Sequence, residues 1–314
     1  MRIIKIKKNN VGIRIDKFLA QEFFSLSRGE IIRNIKAENI SVNEKKIKPS
    51  YILKENDEVL SDISFERQEI KPNDKMKLHK IYEDENILVL NKPAGIQVHP
   101  DSNERENTLV NILVAEHPQI KSVHDETLGA YLRPGIVHRL DKDTSGVIVV
   151  AKNMKTLAEL KILFQERKME KKYLTIVFGQ LRDRKGIITK PIARAGNYRK
   201  QVIAGAKTKT KIRGAVTEYK VLKNFGNYSL LEVTPKTGRM HQIRIHLFSI
   251  GHPIVGDKLY KLKNLKDDLL AKRQMLHASD LNFKLFNQDH KFHAEPPYDF
   301  SYTLSMLDGK EQKR

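Results

Sequence analysis

Cysteine is absent from this sequence of 314 residues. Its absence excludes disulfide bonds, thiolate nucleophiles and zinc sites built on cysteine ligands. Long hydrophobic runs are missing too, because no apolar stretch approaches the ~18 residues that a membrane helix needs. The N-terminus alternates charged and apolar side chains and lacks the apolar block of a signal peptide. We therefore expect a soluble, cytoplasmic protein that has no membrane partner.

The sequence also lacks the motifs of several common enzyme classes. No GxGxxG, GxxxxGK[ST] or HExxH pattern occurs, so dinucleotide-binding, phosphate-loop and zinc-protease functions have no support. The eleven histidines are scattered along the chain, and His241 and His246 are spaced so that they fall on different faces of a helix. We expect no metal site.

Positive charge is abundant and unevenly distributed. The formal net charge is +20 and the pI is about 9.8. Residues 1–66 carry 13 Lys/Arg and 10 Asp/Glu, whereas residues 182–213 carry 11 Lys/Arg and one acidic residue. A general solubility bias would spread the charge along the chain. The basic stretch therefore predicts a hairpin or loop that binds a polyanion, by default a nucleic acid.

The chain is predicted to contain two domains of the α+β class. Residues 1–66 have the pattern of two short helices followed by small strands, with a lysine-rich turn. Residues 67–80 are polar and are interpreted as a linker. Strand patterns then dominate, which indicates a domain over 81–305 with a central mixed, largely antiparallel sheet flanked by helices and loops. Residues 306–314 are interpreted as a basic tail.

The segment from Gly135 to Gly146 sets charged residues directly against a run typical of a buried strand. Charge beside a core is costly unless it is paired. Composition alone nevertheless favours Asp141 and Asp143 as turn or cap residues that lead into the strand.

The longer stretch around this segment resembles a family signature. PGIVHRLDKDTSGVIVVAK at 134–152 is similar to the signature of the RluA/RluD family of pseudouridine synthases. The family's other blocks follow in the expected order, namely EDENILVLNKPAG at 83–95, KKYLTIVFG at 171–179, TGRMHQIRIHL at 237–247 and GHPIVGD at 251–257. The resemblance covers about residues 11–300 and implies an enzyme that isomerises uridine in RNA.

The resemblance implies roles for four residues. Asp141 matches the catalytic aspartate, Tyr173 the tyrosine that stacks on the uracil, and Arg244 the basic residue that pairs with the aspartate. Arg139 matches the arginine that enters the duplex where the target nucleotide is flipped out. Without the resemblance, Tyr173 would be interpreted as a core aromatic and Arg244 as a solvated helix charge.

Residues 1–66 resemble the αL-type RNA-binding domain named after small-subunit ribosomal protein S-four, through RIDKFL at 14–19 and ISVN at 40–43. With the basic stretch, this implies that RNA is the partner. The residues expected to contact RNA are Arg139, Arg14, Arg28, Lys45, Lys46, Lys48, Arg194, Arg199, Lys200, Lys207, Lys209 and Lys211.

The implied reaction exchanges one bond for another within a nucleotide. Uracil leaves the sugar at nitrogen, rotates and rejoins through carbon 5, without a redox step, so no cofactor is expected. Asp141 would attack the anomeric carbon or remove a sugar proton in a glycal-type elimination, and the sequence does not choose between these routes. Arg244 would keep the carboxylate ionised.

The αL-type domain and the PIAR block at 191–194 favour large-subunit ribosomal RNA as the target, either free or within a pre-ribosomal particle. We expect a monomer. Three alternatives stay open: a tRNA-directed member of the same family, a catalytically silent RNA-binding ribosome-assembly factor, and a hydrolase that cleaves the same bond without rejoining it. The intact set of Asp141, Tyr173 and Arg244 argues against the silent factor.

Overall fold

The structure is a computed structural model, and it describes residues 2–22, 28–63, 69–101, 103–127, 129–196, 200–262 and 271–311. Backbone contacts divide the chain into two compact units. The first unit combines residues 1–77 with 99–135, and the second combines 78–98 with 136–314. The change of unit after residue 77 falls inside the predicted linker, whereas nothing in the sequence patterns indicates that 99–135 belongs to the first unit.

The first unit begins with the expected helix and strand pattern. Its elements are β1 (Arg2–Lys5), α1 (Ile15–Glu22), α2 (Arg28–Lys36), β2 (Ile40–Val42) and β3 (Glu58–Ser61). The strands form an antiparallel sheet in the order β1-β3-β2. Apolar residues recur at helical spacing in α1 and α2, so one face of each helix is buried. The core contains Ile6, Ile15, Phe18, Leu19, Ile31, Ile35, Ile40, Val42, Leu53 and Val59.

The segment 99–135 adds α3 (Leu109–Glu116) to this unit. Thr108 and Asn111 form a capping box at the start of the helix. The Asn111 amide also donates to the carbonyl groups of Lys71 and Arg105 at 2.8 and 3.0 Å. The bond to Lys71 attaches the described part of the predicted linker, which starts at residue 69, to α3, so this part belongs to the first unit.

The second unit is built on a mixed sheet. Its strands are β4 (His79–Glu83), β5 (Ile87–Lys92), β6 (Ser145–Ala151), β7 (Glu170–Phe178), β8 (Lys185–Ile188), β11 (Thr217–Phe225), β12 (Tyr228–Pro235), β13 (Leu276–Leu285) and β14 (Gln288–His293). Within the described residues the order is β4-β5-β6-β13-β7-β12-β11-β8, and β14 pairs with β13. All these pairs are antiparallel except β6 with β13. The expected mixed, largely antiparallel sheet is confirmed.

The charged segment enters this sheet through β6, all of whose residues are buried. Gly146 has a φ of +119°, and a Cβ atom there would lie 2.2 Å from the carbonyl oxygen of Ala278 in β13. Only glycine therefore allows β6 and β13 to approach each other at this point. The close pairing fixes the position of the segment that precedes β6.

Three helices pack on the sheet: α4 (Met154–Gln165), α5 (Gln242–Ser249) and α6 (Tyr298–Glu311). The apolar spacing of residues 156–164 and 241–250 predicts the first two. The third runs into the stretch 306–314 that is interpreted from the sequence as a tail. Phe300, Leu304 and Leu307 lie on its apolar face and pack with Ile176 and Met275, so burial of this face favours the helix.

The basic stretch forms the predicted hairpin. It contains β9 (Ile192–Arg194) and β10 (Gln201–Ile203), which pair with each other in a separate two-stranded sheet. We call residues 191–196 and 200–213 the basic hairpin. Ile192 packs in a small core with Ala215, Ile245 and Tyr260, which seats the hairpin on α5.

In the part of the chain that the structure describes, no helix combines the length and apolar character needed to span a bilayer.

Candidate active site

A cavity of about 1040 Å³ lies in the second unit. Its wall is formed in part by strand β7, by helix α5 and by the segment that precedes β6. The wall includes Arg139, Asp141, Tyr173 and Arg244. These are the four residues to which the family resemblance gives roles. They are far apart in the chain, since Asp141 and Arg244 are separated by 103 positions. The fold therefore brings them to one surface.

Asp141, Arg244 and Asp257 form a chain of ion pairs. The Nη1 atom of Arg244 donates to Oδ2 of Asp141 at 2.9 Å, while Nε and Nη2 donate to the two oxygens of Asp257 at 2.7 and 2.9 Å. Asp257 also accepts from the backbone N–H groups of Leu259 and Tyr260. The two-point contact orients the planar guanidinium, so that its remaining edge is presented to Asp141.

The two carboxylates differ in exposure. The side chain of Asp257 is buried, whereas that of Asp141 is 21% exposed. Burial alone would lower the pKa of Arg244, but the hydrogen bonds to Asp257 and the charges of Asp257 and Asp141 raise it. Arg244 is therefore a permanent cation. Of the two carboxylates that pair with Arg244, Asp141 is the one that a ligand in the cavity can reach.

A buried lysine holds the backbone next to Asp141. Lys92 ends β5, and its amine donates to the carbonyl groups of Pro93, Ile96 and Lys142 at 2.7, 3.0 and 3.1 Å. These three acceptors match the three protons of an ammonium group. Burial lowers the pKa of Lys92 to about 7, against the opposing charges of Asp143 and Asp141.

A buried arginine makes the equivalent contact one residue further on. Arg273 donates from Nη1 to the Asp143 carbonyl at 3.1 Å, and its Nε and Nη2 atoms bind the carboxylate of Asp299 in α6. The carbonyl groups of the two residues that follow Asp141 are thus both held by buried cations. This arrangement limits the freedom of the loop that carries Asp141.

His138 fixes the other side of this loop. Its Nε2 atom accepts the backbone N–H of Val149 at 3.0 Å, and its ring stacks on Phe164 of α4 with centroids 4.7 Å apart. Burial, and then the charge of Lys171, lower the pKa of His138 to about 3. The ring is therefore neutral at physiological pH, which the accepting nitrogen requires.

Tyr173 lies near the centre of the sheet, opposite Val233 of β12 and Ala278 of β13. Its side chain is half-buried and lines the cavity. Burial, and then the charge of Asp141, raise the pKa of the phenol, so the ring stays neutral. A neutral aromatic ring beside Asp141 can stack on a flat base.

Some residues of the site are not singled out by the sequence patterns. Asp257, Tyr260 and Lys92 have no assigned role there, and His241 is considered only as an unsuitable metal ligand. The available signal for Asp257 is its position at the end of the GHPIVGD block, directly after a glycine with positive φ. Among the described residues, no three His, Cys, Asp or Glu side chains form a group that could hold a metal ion.

The residues expected to contact RNA are distributed over several surfaces. Arg194 lies on β9 and lines the cavity, and Arg139 is exposed at its wall. The exposed residues of the basic hairpin include Lys200, Lys207, Lys209 and Lys211. Arg199 lies outside the described residues.

The first unit carries the remaining residues of that set. Lys45, Lys46 and Lys48 are exposed in the turn after β2. Arg14 and Arg28 both donate to the carboxylate of Asp16, which is fully buried. Burial would raise the pKa of Asp16, but the two arginines lower it. The buried carboxylate thus orients two guanidinium groups that are about half exposed.

Two family models match the chain. The model described as RNA pseudouridylate synthase matches residues 86–249, and the model of the S4 domain matches residues 13–59. The first spans the segment before β6, strand β7 and helix α5, which carry Asp141, Tyr173 and Arg244. The second spans the helices and strands at the start of the first unit, so the expected αL-type domain is confirmed.

Relatives match over nearly the full length. The chain is 38% identical to "Ribosomal large subunit pseudouridine synthase D" of Borreliella burgdorferi, with 97% of this chain and 92% of the relative covered. It is 34% identical to the protein of the same name from Pseudomonas aeruginosa, with 94% and 92% covered. A solved human structure, RNA Pseudouridylate Synthase Domain Containing 4, aligns with a TM-score of 0.59 at 27% identity, covering 73% of this chain and 93% of that one.

The fold and the site define an RNA-modifying enzyme. The chain belongs to the RNA pseudouridine synthase family, whose members isomerise uridine, and it carries an αL-type RNA-binding domain at its N-terminal end.

Proposed function

We propose that this enzyme converts specific uridines of large-subunit ribosomal RNA to pseudouridine, with Asp141 as the catalytic carboxylate and without a cofactor. The observation that carries the proposal is the position of Asp141. It is the cavity-facing member of an ion-pair chain whose other carboxylate is buried and already committed to Arg244. The target class is supported by the names of the relatives, several of which are ribosomal large subunit pseudouridine synthases.

The chemistry assigned to Asp141 needs an ionised carboxylate in a site shielded from water. Its carboxylate attacks the anomeric carbon of the target nucleotide, or removes a sugar proton in an elimination, while the bond to the base nitrogen breaks. Arg244 donates a charge-assisted hydrogen bond to this carboxylate at 2.9 Å, which orients it in the cavity wall. The anomeric carbon then bonds to carbon 5 of the uracil as the carboxylate leaves it or, in the elimination route, as the sugar proton returns. Carbon 5 loses a proton and the former glycosidic nitrogen gains one, so the isomerisation needs no external oxidant or reductant.

The detached uracil must be held while it rotates. Tyr173 offers a neutral ring in the cavity wall, on which the base can stack in more than one orientation. Stacking restrains a flat base to a plane but leaves rotation in that plane free. This property fits an intermediate that has to turn before it rejoins the sugar.

The target nucleotide has to leave its helix to reach the cavity. Flipping a base out costs a few kcal/mol, which inserted protein side chains can offset. Arg139 is exposed two residues before Asp141 and lines the same cavity. We assign it the role of filling the space that the flipped nucleotide leaves in the RNA.

The remaining RNA contacts are assigned to the basic hairpin and to the turn at Lys45, Lys46 and Lys48. Their exposed positive charges suit phosphate groups, which dominate the affinity of proteins for nucleic acids.

We propose that the domains extend over 1–66 and 81–305 and that the enzyme acts as a monomer. Its RNA substrate is either free or part of a pre-ribosomal particle.

The proposal is tested by mapping pseudouridines in cellular RNA with and without the gene, and then after complementation with the wild type, Asp141→Asn or Asp143→Asn. The two variants remove the same charge from positions two residues apart. We expect modification of large-subunit ribosomal RNA to disappear on deletion, to return with the wild type and with Asp143→Asn, and not to return with Asp141→Asn. With purified enzyme, Asp141→Asn should lower kcat by a factor on the order of 10³ or more.

The possible outcomes separate the parts of the proposal. If the lost pseudouridines lie in tRNA, the ribosomal target is wrong while the activity stands. If Asp141→Asn restores modification fully, Asp141 is not the catalytic group. If the purified enzyme releases free uracil and leaves an abasic site, the reaction is hydrolysis and not isomerisation.

A further inference from the structure

Asp141 has a second charged or polar neighbour besides Arg244, namely His241, and both face the same carboxylate oxygen. The Nε2 atom of His241 lies 3.8 Å from Oδ2 of Asp141. The other ring nitrogen, Nδ1, lies 3.1 Å from the hydroxyl oxygen of Tyr260. That hydroxyl oxygen accepts the backbone N–H of Gln201 at 2.7 Å. These contacts join the backbone of β10, in the basic hairpin, to the proposed catalytic carboxylate.

The direction of the hydrogen bonds follows from the donors available. The Tyr260 hydroxyl is buried and already accepts from Gln201, so its own proton needs an acceptor. Nδ1 of His241 is the acceptor within reach. Burial lowers the pKa of His241, despite the opposing charge of Asp141, so the ring is neutral. Its single proton is then on Nε2, which faces Asp141.

The backbone at His241 supports a constrained role for this side chain. His241 immediately precedes α5 and has a φ of +55°, in the left-handed region that a non-glycine residue seldom adopts. Such a conformation persists only where the surroundings determine it. The contact with Tyr260 supplies one such restraint, and the rings of the two residues also meet edge to face at 5.7 Å.

Tyr260 contacts both partners of Asp141. Besides binding His241, its ring lies over the Arg244 guanidinium at 5.3 Å from the ring centroid. It also belongs to the small core that seats Ile192 of the basic hairpin on α5. A displacement of β10 would therefore move Tyr260 and, through its contacts, both His241 and Arg244, which face the carboxylate of Asp141.

We infer that His241 is a positioning residue for Asp141, and that its orientation is set through Tyr260 by the backbone of the basic hairpin. When RNA presses the hairpin onto α5, a movement of roughly 0.6–1 Å brings Nε2–H of His241 into hydrogen-bond range of Asp141. Oδ2 of Asp141 would then accept from both Arg244 and His241, which would hold the carboxylate in the geometry needed for reaction. This inference rests on the proposed function for its meaning, but its hydrogen bonds can be tested without activity.

The first test is NMR of the full chain labelled with ¹⁵N-histidine, using His241→Gln to assign the His241 signals. We expect the Nε2–H tautomer in the wild type. Tyr260→Phe removes only the hydroxyl, so the signal of Nδ1 should shift towards that of an imidazole nitrogen without a donor. Tyr82→Phe is the matched control, because it removes a hydroxyl that donates to Asp84 at 3.0 Å, outside the site. An Nδ1–H tautomer, or unchanged signals in Tyr260→Phe, would overturn the inference.

The second test measures kcat and KM on a transcript of large-subunit ribosomal RNA. Tyr260→Phe should lower kcat about 10-fold with KM changed less than about 2-fold, and Tyr82→Phe should change neither. His241→Gln keeps a donor near the position of Nε2, so it should retain more activity than His241→Leu. Wild-type kcat in Tyr260→Phe, or equal losses in the two His241 variants, would contradict the role of His241.

The two tests keep the inference apart from the proposed function. If the wild-type enzyme forms no pseudouridine in this RNA, the proposed target or reaction is wrong. The NMR result still decides whether the hydrogen bonds that link Gln201, Tyr260 and His241 exist. If pseudouridine forms and the NMR signals of His241 are the same in Tyr260→Phe as in the wild type, the proposed function stands and the inference is wrong.

Discussion

Lys92 is a residue whose role follows from where its three protons go. Its side chain is fully buried, and the amine is surrounded by three backbone carbonyl groups. One of them belongs to Lys142, the residue directly after Asp141. A lysine in this setting stabilises a loop conformation and does not take part in the reaction, because its donors are all occupied.

Replacing Lys92 with methionine keeps most of the volume and removes the donors. The carbonyl groups of Pro93, Ile96 and Lys142 would be left without this partner, which we expect to lower the free energy of unfolding by about 3 kcal/mol. The activity should fall as well, because the backbone at Asp141 is less constrained. Chemical denaturation and kcat measure the two effects. Lys152→Met is the control, since Lys152 is a partly buried lysine bound to Glu83 at 2.8 Å, and it should leave kcat unchanged.

The pH dependence of stability gives a second measurement on Lys92. Burial lowers its pKa from 10.5 to about 7, so between these values the unfolded chain binds more protons at this residue than the folded chain. The cost of burying the charged amine is therefore absent above pH 10.5 and reaches its full size as the pH falls to 7. The unfolding free energy of the wild type should rise with pH across this window relative to Lys92→Met, by at most about 1.4 kcal/mol per pH unit. Parallel curves would show that the pKa is not lowered.

At the scale of elements, the basic hairpin makes the sharpest prediction. Lys207, Lys209 and Lys211 are exposed on it and carry charges of one sign. Each lysine that neutralises a phosphate releases bound counterions, so replacing all three with glutamine should weaken RNA binding and reduce the slope of log K against log salt by about 2–3. Fluorescence anisotropy at several salt concentrations measures the slope.

The control for the hairpin is a triple replacement of exposed lysines on other strands, namely Lys220, Lys284 and Lys291. It lowers the net charge by the same amount. If both triple variants reduce the slope equally, the hairpin is not a specific phosphate contact, and only the overall charge of the protein matters.

Elements differ in how far the sequence could predict them. Helices α1, α4 and α5 and strand β7 follow from apolar periodicity, because that pattern reports which face of a local element is buried. The basic stretch that contains β9 and β10 is predicted as a hairpin or loop, and its charge does not distinguish between the two. The last turns of α6 are not predicted, because Leu307 becomes part of an apolar face only through its contact with a distant core.

At the scale of the whole molecule, we expect the first unit to contribute to RNA binding and the second unit to carry out the reaction. Replacing Lys45, Lys46 and Lys48 with glutamine removes charge from an exposed turn of the first unit and leaves the cavity of the second unit unchanged. We therefore expect KM for ribosomal RNA to rise several-fold while kcat stays within about 2-fold of the wild type. Steady-state kinetics with the transcript measure the split, and a matching fall in kcat would contradict it.

The same scale explains what the sequence does not reveal about the site. A long family signature identifies Asp141, but the composition of the segment around it alone fits a turn residue. The contact with Arg244 crosses 103 positions and depends on the order of strands in the sheet. Tyr260 and His241 acquire their roles only through contacts in the fold, because each acts through another side chain, and Asp257 is indicated locally only by its position at the end of the GHPIVGD block.

The double hold of Asp257 on Arg244 also has a consequence for descent. If Asp141 is lost, Arg244 keeps a buried carboxylate partner, so no unpaired cation remains in the core. A change of one nucleotide, from an aspartate to an asparagine codon, could therefore end catalysis in a lineage while the fold and its RNA-binding surfaces are inherited intact. Loss of Asp257 offers no such route, because it would leave the buried Nε and Nη2 donors of Arg244 without their carboxylate, and we expect Arg244 and Asp257 to vary together or not at all.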